Sequence, residues 1–467
     1  MINRQNFHNI AGDIRFWIIL FFLVRLTGIT NPPLETSHNW RQCFTNMVAR
    51  NFLEQDANIF YPQIDMAGDQ SGITGSEFPL FNYLIFVISW IFGFEHWYGR
   101  LINLLVSTIG IWFFYQLISR ILNRTTAFAS TIILLSSIWF SFSRKIMPDT
   151  FSVSLMIIGL FCVYKFAVGG KVMHLILFIL FSSAGALCKL PSVMFVSLVA
   201  MPVFSVKYGR RRKCALIIAS LVTAGITFLW YGYWVPWLVN TWHNRLYFPV
   251  SISQGIREII VNLPDILDKF YFSALSSFVA FGCFLAGIYL IIIRKSPVLV
   301  WIFALLTLLF GGFMLKAGRI FSMHDYYIIP YVPLMALIAG YALGSIRPLF
   351  RNILLIIIAI EGIANQHQDF FIKKSERYKL ELENIADKVS RRNDLIIINV
   401  DGNPQELYFS HRKGWNIPEY RLYEEGVIPA LMQKGAKYLF INQSRGKPDL
   451  DDPVVYQDEH FTVYELK

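Results

Sequence analysis

The sequence predicts an α-helical polytopic membrane protein with about eleven transmembrane helices and a small C-terminal α/β domain. The chain has 467 residues, of which 55% are hydrophobic and only 16% are charged, and its mean hydropathy is +0.47. Apolar runs that approach the length needed to cross a bilayer, about 20 residues, recur through most of the chain. Beyond residue 367 the composition changes to that of a soluble domain. These three observations exclude a single soluble core.

The predicted spans follow the apolar runs. They cover residues 16–31, 98–118, 126–142, 150–168, 172–188, 191–206, 214–236, 273–293, 297–315, 326–345 and 352–366. A further run, "PLFNYLIFVISWIFG" at 79–93, is either a span or a helix that lies in the membrane interface.

The positive charges decide between these two alternatives. If 79–93 does not span, five basic loops lie on the same side of the membrane as Arg4 and Arg15. These loops are "SRILNR" (119–124), "GGK" (169–171), "KYGRRRK" (207–213), "RKS" (294–296) and "RPLFR" (347–351), and they contain no Asp or Glu. Because cytoplasmic loops are enriched in Lys and Arg, we predict a cytoplasmic N-terminus and a C-terminal domain on the outer face. The net charge of +11 therefore marks a membrane face and not a nucleic-acid site.

The first outer loop, residues 32–97, is predicted to carry two interfacial helices, at 42–54 and 79–93. The apolar residues of "QCFTNMVARNFLE" fall on one helical face; they are Phe44, Met47, Val48 and Phe52. Such a face is typical of a helix that lies on a membrane surface. We assign this loop to a membrane domain that covers residues 1–366.

The C-terminal residues, 367–467, are predicted to form a separate soluble α/β domain. The stretch "KKSERYKLELENIADKVSRR" has the pattern of a charged amphipathic helix, and "GVIPALMQKGA" that of a second helix. The stretches "DLIIINV", "KYLFIN", "DPVVYQ" and "FTVYEL" have the alternation and composition of strands. Because the domain shows no catalytic triad and no metal-ligand spacing, we expect it to recognise an acceptor or to serve a structural role.

Polar side chains collect at the outer ends of the predicted spans. In chain order they are Glu35, His38, Arg41, Asp56, Asp65, Asp69 and Glu77 in the first outer loop, Arg144, Lys145 and Asp149 in "SRKIMPDT", Lys189 in "CKLPS", and Lys316, Arg319, His324, Asp325, Tyr326 and Tyr327 in "KAGRIFSMHDYY". Charged groups at a membrane boundary are candidates for function. Basic groups bind phosphate, and a carboxylate can accept a proton from a hydroxyl. The sequence therefore predicts a site that faces lipid headgroups.

Several motifs, in order along residues 10–360, resemble those of the GT-C membrane glycosyltransferases. They are "HNWRQCFTNMVARNF", "NIFYPQIDMAG", "SEFPLFNYL", "GRLINLLVS", "RKIMPDTF", "ALCKLPSV" and "HDYYIIPYVPLMALIAG". The resemblance is to the protein mannosyltransferase and lipid A aminoarabinose transferase relatives, of the glycosyltransferase 39 and 83 type.

The resemblance implies the GT-C fold and an enzyme of the bacterial inner membrane. Such enzymes take a sugar from a polyprenyl phosphate carrier, which in bacteria is undecaprenyl phosphate. They transfer it with inversion to an acceptor on the periplasmic face. The acceptor implied is a cell-envelope glycan, a lipid or a protein; neither it nor the sugar can be identified from the sequence.

The resemblance also suggests roles for the polar residues. Many relatives carry an Asp in the first loop, in a pattern like "WRQADT", where this chain has Phe44. We therefore expect the catalytic base to be Glu35 first, then Asp149 or Glu77. Side chains expected to hold the departing phosphate are Arg41, Arg144, Lys145, Lys189 and His324. Side chains expected to contact the substrate are His38, Asp325, Tyr326 and Tyr327.

Each of these side chains also has a structural interpretation. Glu35 can be a solvated loop carboxylate, and Asp149 can cap the helix that follows it. His38 and Arg41 can anchor an interfacial helix, and Lys189 can extend its amine to the membrane surface. The pair His324 and Asp325 can form an ordinary turn in an aromatic belt. Arg25 lies inside the first span, where we expect it to face the helix bundle because charge is costly in lipid.

Two other functions stay open at this point. A flippase or transporter for a lipid-linked sugar would show internal repeats and ionisable residues near mid-membrane; the sequence has no repeat, and its charges lie mainly at one face. A non-catalytic partner that only binds lipid would account for the missing loop Asp. The enzyme is favoured, and no cofactor is predicted because a phosphate-linked donor already carries a leaving group. A divalent metal is neither implied nor excluded.

Overall fold

The computed structural model describes residues 11–246, 249–446 and 451–467, so Arg4 lies outside the described residues. The chain divides into two compact units. The first, here called the helical unit, consists of Met1–Ile29, Arg100–Tyr233 and Tyr247–Phe370. The second, here called the mixed unit, consists of Thr30–Gly99, Trp234–Leu246 and Phe371–Lys467.

Helices make up most of the structure. In chain order the described α-helices are α1 (Ile14–Arg25), α2 (Asn39–Glu54), α3 (Leu80–Phe92), α4 (Tyr98–Ile121), α5 (Arg124–Ser136), α6 (Trp139–Phe142), α7 (Pro148–Gly169), α8 (Val172–Cys188), α9 (Ala200–Phe204), α10 (Arg210–Phe228), α11 (Val235–Trp242), α12 (Ile252–Val261), α13 (Leu263–Asp268), α14 (Phe278–Ile293), α15 (Pro297–Ala317), α16 (Arg319–Met323), α17 (Val332–Gly344), α18 (Pro348–Gln366), α19 (Leu382–Val389), α20 (Gln405–Ser410), α21 (Glu419–Leu422) and α22 (Val427–Gln433). Shorter 3₁₀ segments cover Leu190–Val199, Asp325–Tyr331, His367–Phe370 and Lys374–Glu381, and π-helical turns cover Leu229–Trp234 and Lys269–Ser273.

Each predicted span contains one of these helices or two in succession, which confirms the helical membrane class. Among the described residues, six helical segments are long and apolar enough to cross a bilayer. A seventh candidate is the pair Leu263–Ser273 and Phe278–Ile293, which is bent by 94°. The remaining predicted spans correspond to shorter helices such as α8, so the count of eleven stays a prediction.

Small residues bring helices α5 and α17 of the helical unit into close contact. A Cβ atom at Gly340 would lie 2.1 Å from Oγ of Ser130, and one at Gly344 would lie 2.7 Å from Oγ1 of Thr126. The two glycines on α17 are four residues apart, as are their partners on α5, so both contacts fall on one helix face. Since lipid supplies no hydrophobic force between helices, close approach of this kind is a main source of their association.

The mixed unit contains a five-stranded sheet in the order β2-β1-β3-β5-β4. Its strands are β1 (Leu395–Ile398), β2 (Gly414–Asn416), β3 (Ala436–Asn442), β4 (Val454–Gln457) and β5 (Phe461–Glu465). Strand β1 is parallel to β2 and β3, whereas β5 is antiparallel to β3 and β4. The four predicted strands and both predicted helices are present. Strand β2 was not predicted because three residues carry too little alternation.

The first outer loop packs with the C-terminal residues, which differs from the predicted division at 366/367. The predicted helices at 42–54 and 79–93 are present as α2 and α3. The apolar face of α2, however, is buried in protein. Its side chains Phe44, Met47 and Val48 share one hydrophobic core with Ile396 and Phe440 of the sheet. Burial of an apolar helix face is favourable whether lipid or protein covers it, because the hydrophobic effect is not directional. In α2 the sheet covers this face.

Helix α3 retains the character expected of an interfacial helix. Its C-terminal turn exposes Trp90, Ile91 and Phe92, with 73%, 60% and 73% of each residue accessible. Patches of large apolar side chains on the surface mark contacts with a membrane or a partner. The apolar end of α3 is thus open to a membrane, whereas the apolar face of α2 is covered by protein, and an interfacial position for α3 stays a prediction.

Candidate active site

The turn Ser143–Met147, between α6 and α7, carries two of the predicted site residues, Arg144 and Lys145, and is fixed by Asn103. The Asn103 amide of α4 donates to the carbonyl oxygens of Phe142 at 3.0 Å, Lys145 at 2.9 Å and Met147 at 3.1 Å. Its oxygen accepts a hydrogen bond from the Thr150 hydroxyl at 2.9 Å. A buried amide with these partners holds the turn rigidly.

Asp149 lies in the first turn of α7, after Pro148 at the first helical position. The N-cap is Met147, whose side chain makes no capping bond, so the interpretation of Asp149 as a cap is wrong. A carboxylate in the first helical turn interacts favourably with the helix dipole. The position leaves the carboxylate available for a partner on another helix.

That partner is Lys189, immediately after α8. Its Nζ atom lies 3.4 Å from Oδ1 of Asp149, and the accessible fractions of the two side chains are only 9% and 2%. Lys189 has an extended backbone (φ −156°) and precedes the 3₁₀ segment Leu190–Val199. A buried charge requires a compensating charge nearby, and this pair supplies it. The amine is therefore held inside the unit and does not extend to the surface.

Aromatic rings line the other side of the Lys189 amine. Its Nζ atom lies 5.1 Å from the ring centroid of Tyr326 and 5.6 Å from that of Tyr327. The His324 ring stacks on both tyrosines, with centroid distances of 5.2 and 6.0 Å. Asp325 is ion-paired to Lys269. The "HDYY" segment is thus a stacked aromatic wall beside a buried cation, a geometry that favours positive charge.

Arg144 and Lys145 contact other parts of the helical unit. Arg144 donates to the carbonyl oxygens of Arg25 at 3.0 Å and Thr27 at 2.8 Å. Its guanidinium also lies 4.2 Å from the ring centroid of Phe370. Lys145 is completely buried and lies 3.5 Å from the carboxylate of Asp369. Both side chains hold the turn in place, and a phosphate-binding role for either one remains a prediction.

Arg25 faces the helix bundle, as the sequence predicted. It is fully buried and donates to the Ser143 hydroxyl at 2.6 Å and to the carbonyl oxygen of Phe21 at 3.0 Å. It therefore links α1 to the same turn that Asn103 fixes.

In the mixed unit, Arg41 and Glu77 form an ion pair. The distance between Nη2 of Arg41 and Oε1 of Glu77 is 2.9 Å, and the side chains are 11% and 24% exposed. Glu35 is fully buried and accepts a hydrogen bond from the Asn31 amide at 3.1 Å. Burial excludes the interpretation of Glu35 as a solvated carboxylate. His38 directly precedes α2 in a left-handed conformation, with φ 54°.

Within each unit the structure thus groups some predicted residues and separates others. In the helical unit Asp149, Lys189, His324, Tyr326 and Tyr327 form one cluster, whereas Arg144 and Lys145 pair elsewhere. In the mixed unit Arg41 and Glu77 are in contact.

Three contributors were missed from the sequence: Asn103, Lys269 and Asp369. Asn103 carried a signal, because a polar residue inside an apolar run is costly in lipid and marks a buried contact. Lys269 and Asp369 carried no local signal, since their partners are 56 and 224 positions away in the chain. Across the described residues, no group of three or more His, Cys, Asp or Glu side chains is arranged to hold a metal ion.

Known proteins resemble this chain in part of its sequence and in its fold. The family model for dolichyl-phosphate-mannose-protein mannosyltransferase matches residues 76–237. No curated protein matches the chain in sequence.

Solved structures match over nearly the whole chain. The apo form of ArnT from Cupriavidus metallidurans is 12% identical with a TM-score of 0.56, over 96% of this chain and 97% of that one. The same protein bound to undecaprenyl phosphate matches over the same shares, at 13% identity and a TM-score of 0.57. The apo oligosaccharyltransferase of Archaeoglobus fulgidus is 10% identical with a TM-score of 0.58, over 91% of this chain and 69% of that one.

The chain therefore has the fold of the GT-C membrane glycosyltransferases, with a small C-terminal sheet domain. The predicted resemblance to the mannosyltransferase and ArnT type is confirmed at the level of fold. The family model covers only residues 76–237, and these solved structures are at most 13% identical to the chain, so the similarities show a shared fold.

Proposed function

We propose that this protein is a bacterial inner-membrane glycosyltransferase. It takes a sugar from undecaprenyl phosphate and transfers it, with inversion, to a cell-envelope acceptor on the periplasmic face. The observation that carries the proposal is the buried Asp149–Lys189 pair beside the stacked rings of His324, Tyr326 and Tyr327. Further support comes from ArnT bound to undecaprenyl phosphate, which has the same fold.

The reaction is a single in-line displacement at the anomeric carbon. An acceptor hydroxyl oxygen forms the new bond, the bond between the anomeric carbon and the phosphate oxygen breaks, and the lipid phosphate leaves. Lys189 is the cation proposed to hold the leaving phosphate, because its amine is desolvated and positioned before the reaction starts. Charge stabilisation of that kind is usually the largest contribution to catalysis.

The distance between Asp149 and Lys189 determines which role Asp149 can have. In an inverting displacement the base and the leaving group lie on opposite faces of the sugar; the paired groups of inverting glycosidases are about 6.5–9.5 Å apart. Asp149 lies only 3.4 Å from Lys189. If Lys189 holds the phosphate, Asp149 is on the leaving-group side. We therefore propose Asp149 as a positioning residue for Lys189, and we retain Glu35, the first choice from the sequence, as the base.

The test is transfer by the purified full chain with a panel of undecaprenyl phosphate sugars and membrane-extracted acceptors. Lys189→Met is expected to raise KM for the carrier and to lower kcat. Glu35→Gln is expected to lower kcat alone. Asp149→Asn should resemble Lys189→Met if Asp149 positions the lysine, and Glu35→Gln if it is the base.

Two outcomes would replace the proposal. If labelled sugar crosses the bilayer of reconstituted vesicles and never reaches an acceptor, the protein is a flippase. If neither transfer nor transport occurs with any carrier, it is a lipid-binding partner. No metal takes part in the proposed mechanism, so a chelator is expected to leave the transfer rate unchanged.

A further inference from the structure

A cavity of about 1300 Å³ lies within the helical unit, away from the cluster around Lys189. Helices α1, α4, α5 and α18 form its walls, and α5 packs against both α1 and α18. Its volume exceeds the roughly 300–1,000 Å³ of ordinary small-molecule pockets. Neither the family similarity nor the proposed reaction assigns a ligand to it.

The lining of this cavity carries an excess of positive charge. It includes four arginines, Arg15, Arg120, Arg124 and Arg351, and one acid, Asp13. Asp13 is ion-paired to Arg15. Among the described residues, none of the other three arginines has a carboxylate partner; Arg120 and Arg351 bond to neutral amides. The charges therefore favour an anionic ligand.

The backbone strengthens that preference. Helices α1, α5 and α18 all begin at the arginine-lined end, at Ile14, Arg124 and Pro348. The N-terminal end of a helix carries a partial positive charge and unpaired amide groups, which attract anions. Asp13 and Asn123 each accept one backbone amide at the starts of α1 and α5, and Asp13 also neutralises Arg15. The three helix dipoles and the guanidinium groups of Arg120, Arg124 and Arg351 leave this end of the cavity electropositive.

The rest of the cavity is apolar and aromatic. Trp17 and Phe21 line it from α1, Phe128 and Ile132 from α5, and further apolar side chains from α18. Arg351 and Ala359 both line the wall of α18, and the eight residues between them span about 12 Å along the helix axis at about 1.5 Å per residue. A ligand that satisfies both ends must therefore be amphiphilic, with an anionic head and an apolar tail.

We propose that this cavity binds an anionic phospholipid. The headgroup phosphate contacts Arg120, Arg124 and Arg351, and an acyl chain lies along the apolar wall toward Ala359. Basic pockets between transmembrane helices on the cytoplasmic side are suited to such headgroups. These arginines belong to loops that the sequence places on the cytoplasmic face. The inference is independent of the transfer reaction, because none of the residues proposed for that reaction lines this cavity.

The test is native mass spectrometry of the full chain in a neutral detergent, titrated with phosphatidylglycerol or with phosphatidylcholine. The wild type is expected to retain phosphatidylglycerol in preference to phosphatidylcholine. The variant Arg120→Gln/Arg124→Gln/Arg351→Gln is expected to bind phosphatidylglycerol at least about ten-fold more weakly, since each basic group contributes about 1 kcal/mol near an anionic lipid. A matched control, Arg210→Gln/Arg211→Gln/Lys213→Gln, removes the same charge outside the cavity lining and is expected to bind like the wild type.

A second variant tests the apolar wall separately. Ala359→Trp leaves the arginines in place and fills the space for the acyl chain, so it is also expected to lose phosphatidylglycerol. Thermal unfolding in detergent checks that each variant is folded. Equal binding of both phospholipids, or equal loss in the control variant, would overturn the proposal. So would retention of undecaprenyl phosphate that phosphatidylglycerol fails to displace, because the cavity would then be a carrier site.

Discussion

Each unit of this protein buries an ion pair, and the two pairs are built differently. In the mixed unit, Arg50 lies 3.0 Å from Asp65, donates to the carbonyl oxygen of Tyr408 at 3.0 Å and stacks on the Tyr408 ring at 4.7 Å. Asp65 also accepts a hydrogen bond from Asn51 at 2.8 Å. In the helical unit, Lys189 and Asp149 are 3.4 Å apart, with aromatic rings against the amine.

The difference follows from the two cations. The planar guanidinium of Arg50 is matched to fixed acceptors, so the pair locks α2 to the residues around it. An ammonium group is a compact charge on a flexible stem, which can turn toward a second anion without dismantling its surroundings. We therefore expect the Arg50 pair to contribute stability and the Lys189 pair to bind phosphate.

The largest loss of stability is expected from Asp65→Asn. The substitution keeps the shape and leaves Arg50 buried without its counter-charge, which costs about 3–5 kcal/mol. Chemical unfolding of the purified protein measures the change. The control is Asp56→Asn on the exposed end of the same loop, where a change within about 0.5 kcal/mol is expected. Unchanged stability in Asp65→Asn would show that the Arg50 pair is not structural.

The largest loss of transfer is expected from Lys189→Met/Asp149→Asn. Removing both charges leaves neither partner of this pair as an uncompensated buried charge, so the melting temperature should stay close to that of the wild type. The rate should nevertheless fall about 10²–10³-fold, the loss typical when a group that stabilises developing negative charge is removed. Lys189→Arg retains the charge and is expected to retain part of the rate. Full activity in the double variant would refute phosphate binding by Lys189.

Asn103→Ala is expected to have an intermediate effect on both the free energy of unfolding and the transfer rate. Its amide holds the turn that carries Arg144 and Lys145, and loss of a buried hydrogen-bonding partner costs about 1–3 kcal/mol. Asn103→Asp keeps the size and removes the donor, so a similar loss there attributes the effect to hydrogen bonds. Transfer should fall along with stability, because the same turn leads into α7 and Asp149.

The smallest effect is a pH dependence confined to the mixed unit. The hydrogen bond from His411 lowers the pKa of Glu383 from 4.5 to about 2, with a further contribution from Arg392. Burial raises the pKa of Glu54, but the bond from His411 and nearby positive charges outweigh it and leave that pKa lowered. A carboxyl with a depressed pKa stabilises the fold above pH 4.5 and loses that contribution as pH falls toward 2.

For Glu383, which is about half exposed, screening reduces the expected contribution to about 1 kcal/mol. The melting temperature of the wild type should therefore fall between pH 4.5 and 2 more steeply than that of His411→Ala. Parallel curves for the two proteins would show that these bonds do not contribute to stability.

The sequence predicted the helices and strands better than it predicted the tertiary contacts that they make. Apolar runs located the membrane helices, and the alternation of "DLIIINV" and "FTVYEL" located strands of the sheet. The placement of α2 differed because Phe44 and Met47 show only that one face needs an apolar medium, and lipid and protein are equivalent in that respect. The candidate cations could be identified by residue type alone. Their ion-pair partners could not be identified, because they lie far away in the chain, as Asp369 does from Lys145.

The contact between α5 and α17 has a consequence for biogenesis. Thr126 and Ser130 are synthesised about two hundred residues before Gly340 and Gly344, which complete their packing. The predicted span that contains α5 therefore keeps this face uncovered until the last predicted spans are inserted. Chains that terminate before α17 keep that face exposed to lipid, which gives membrane quality-control proteases a feature that distinguishes them from the finished protein.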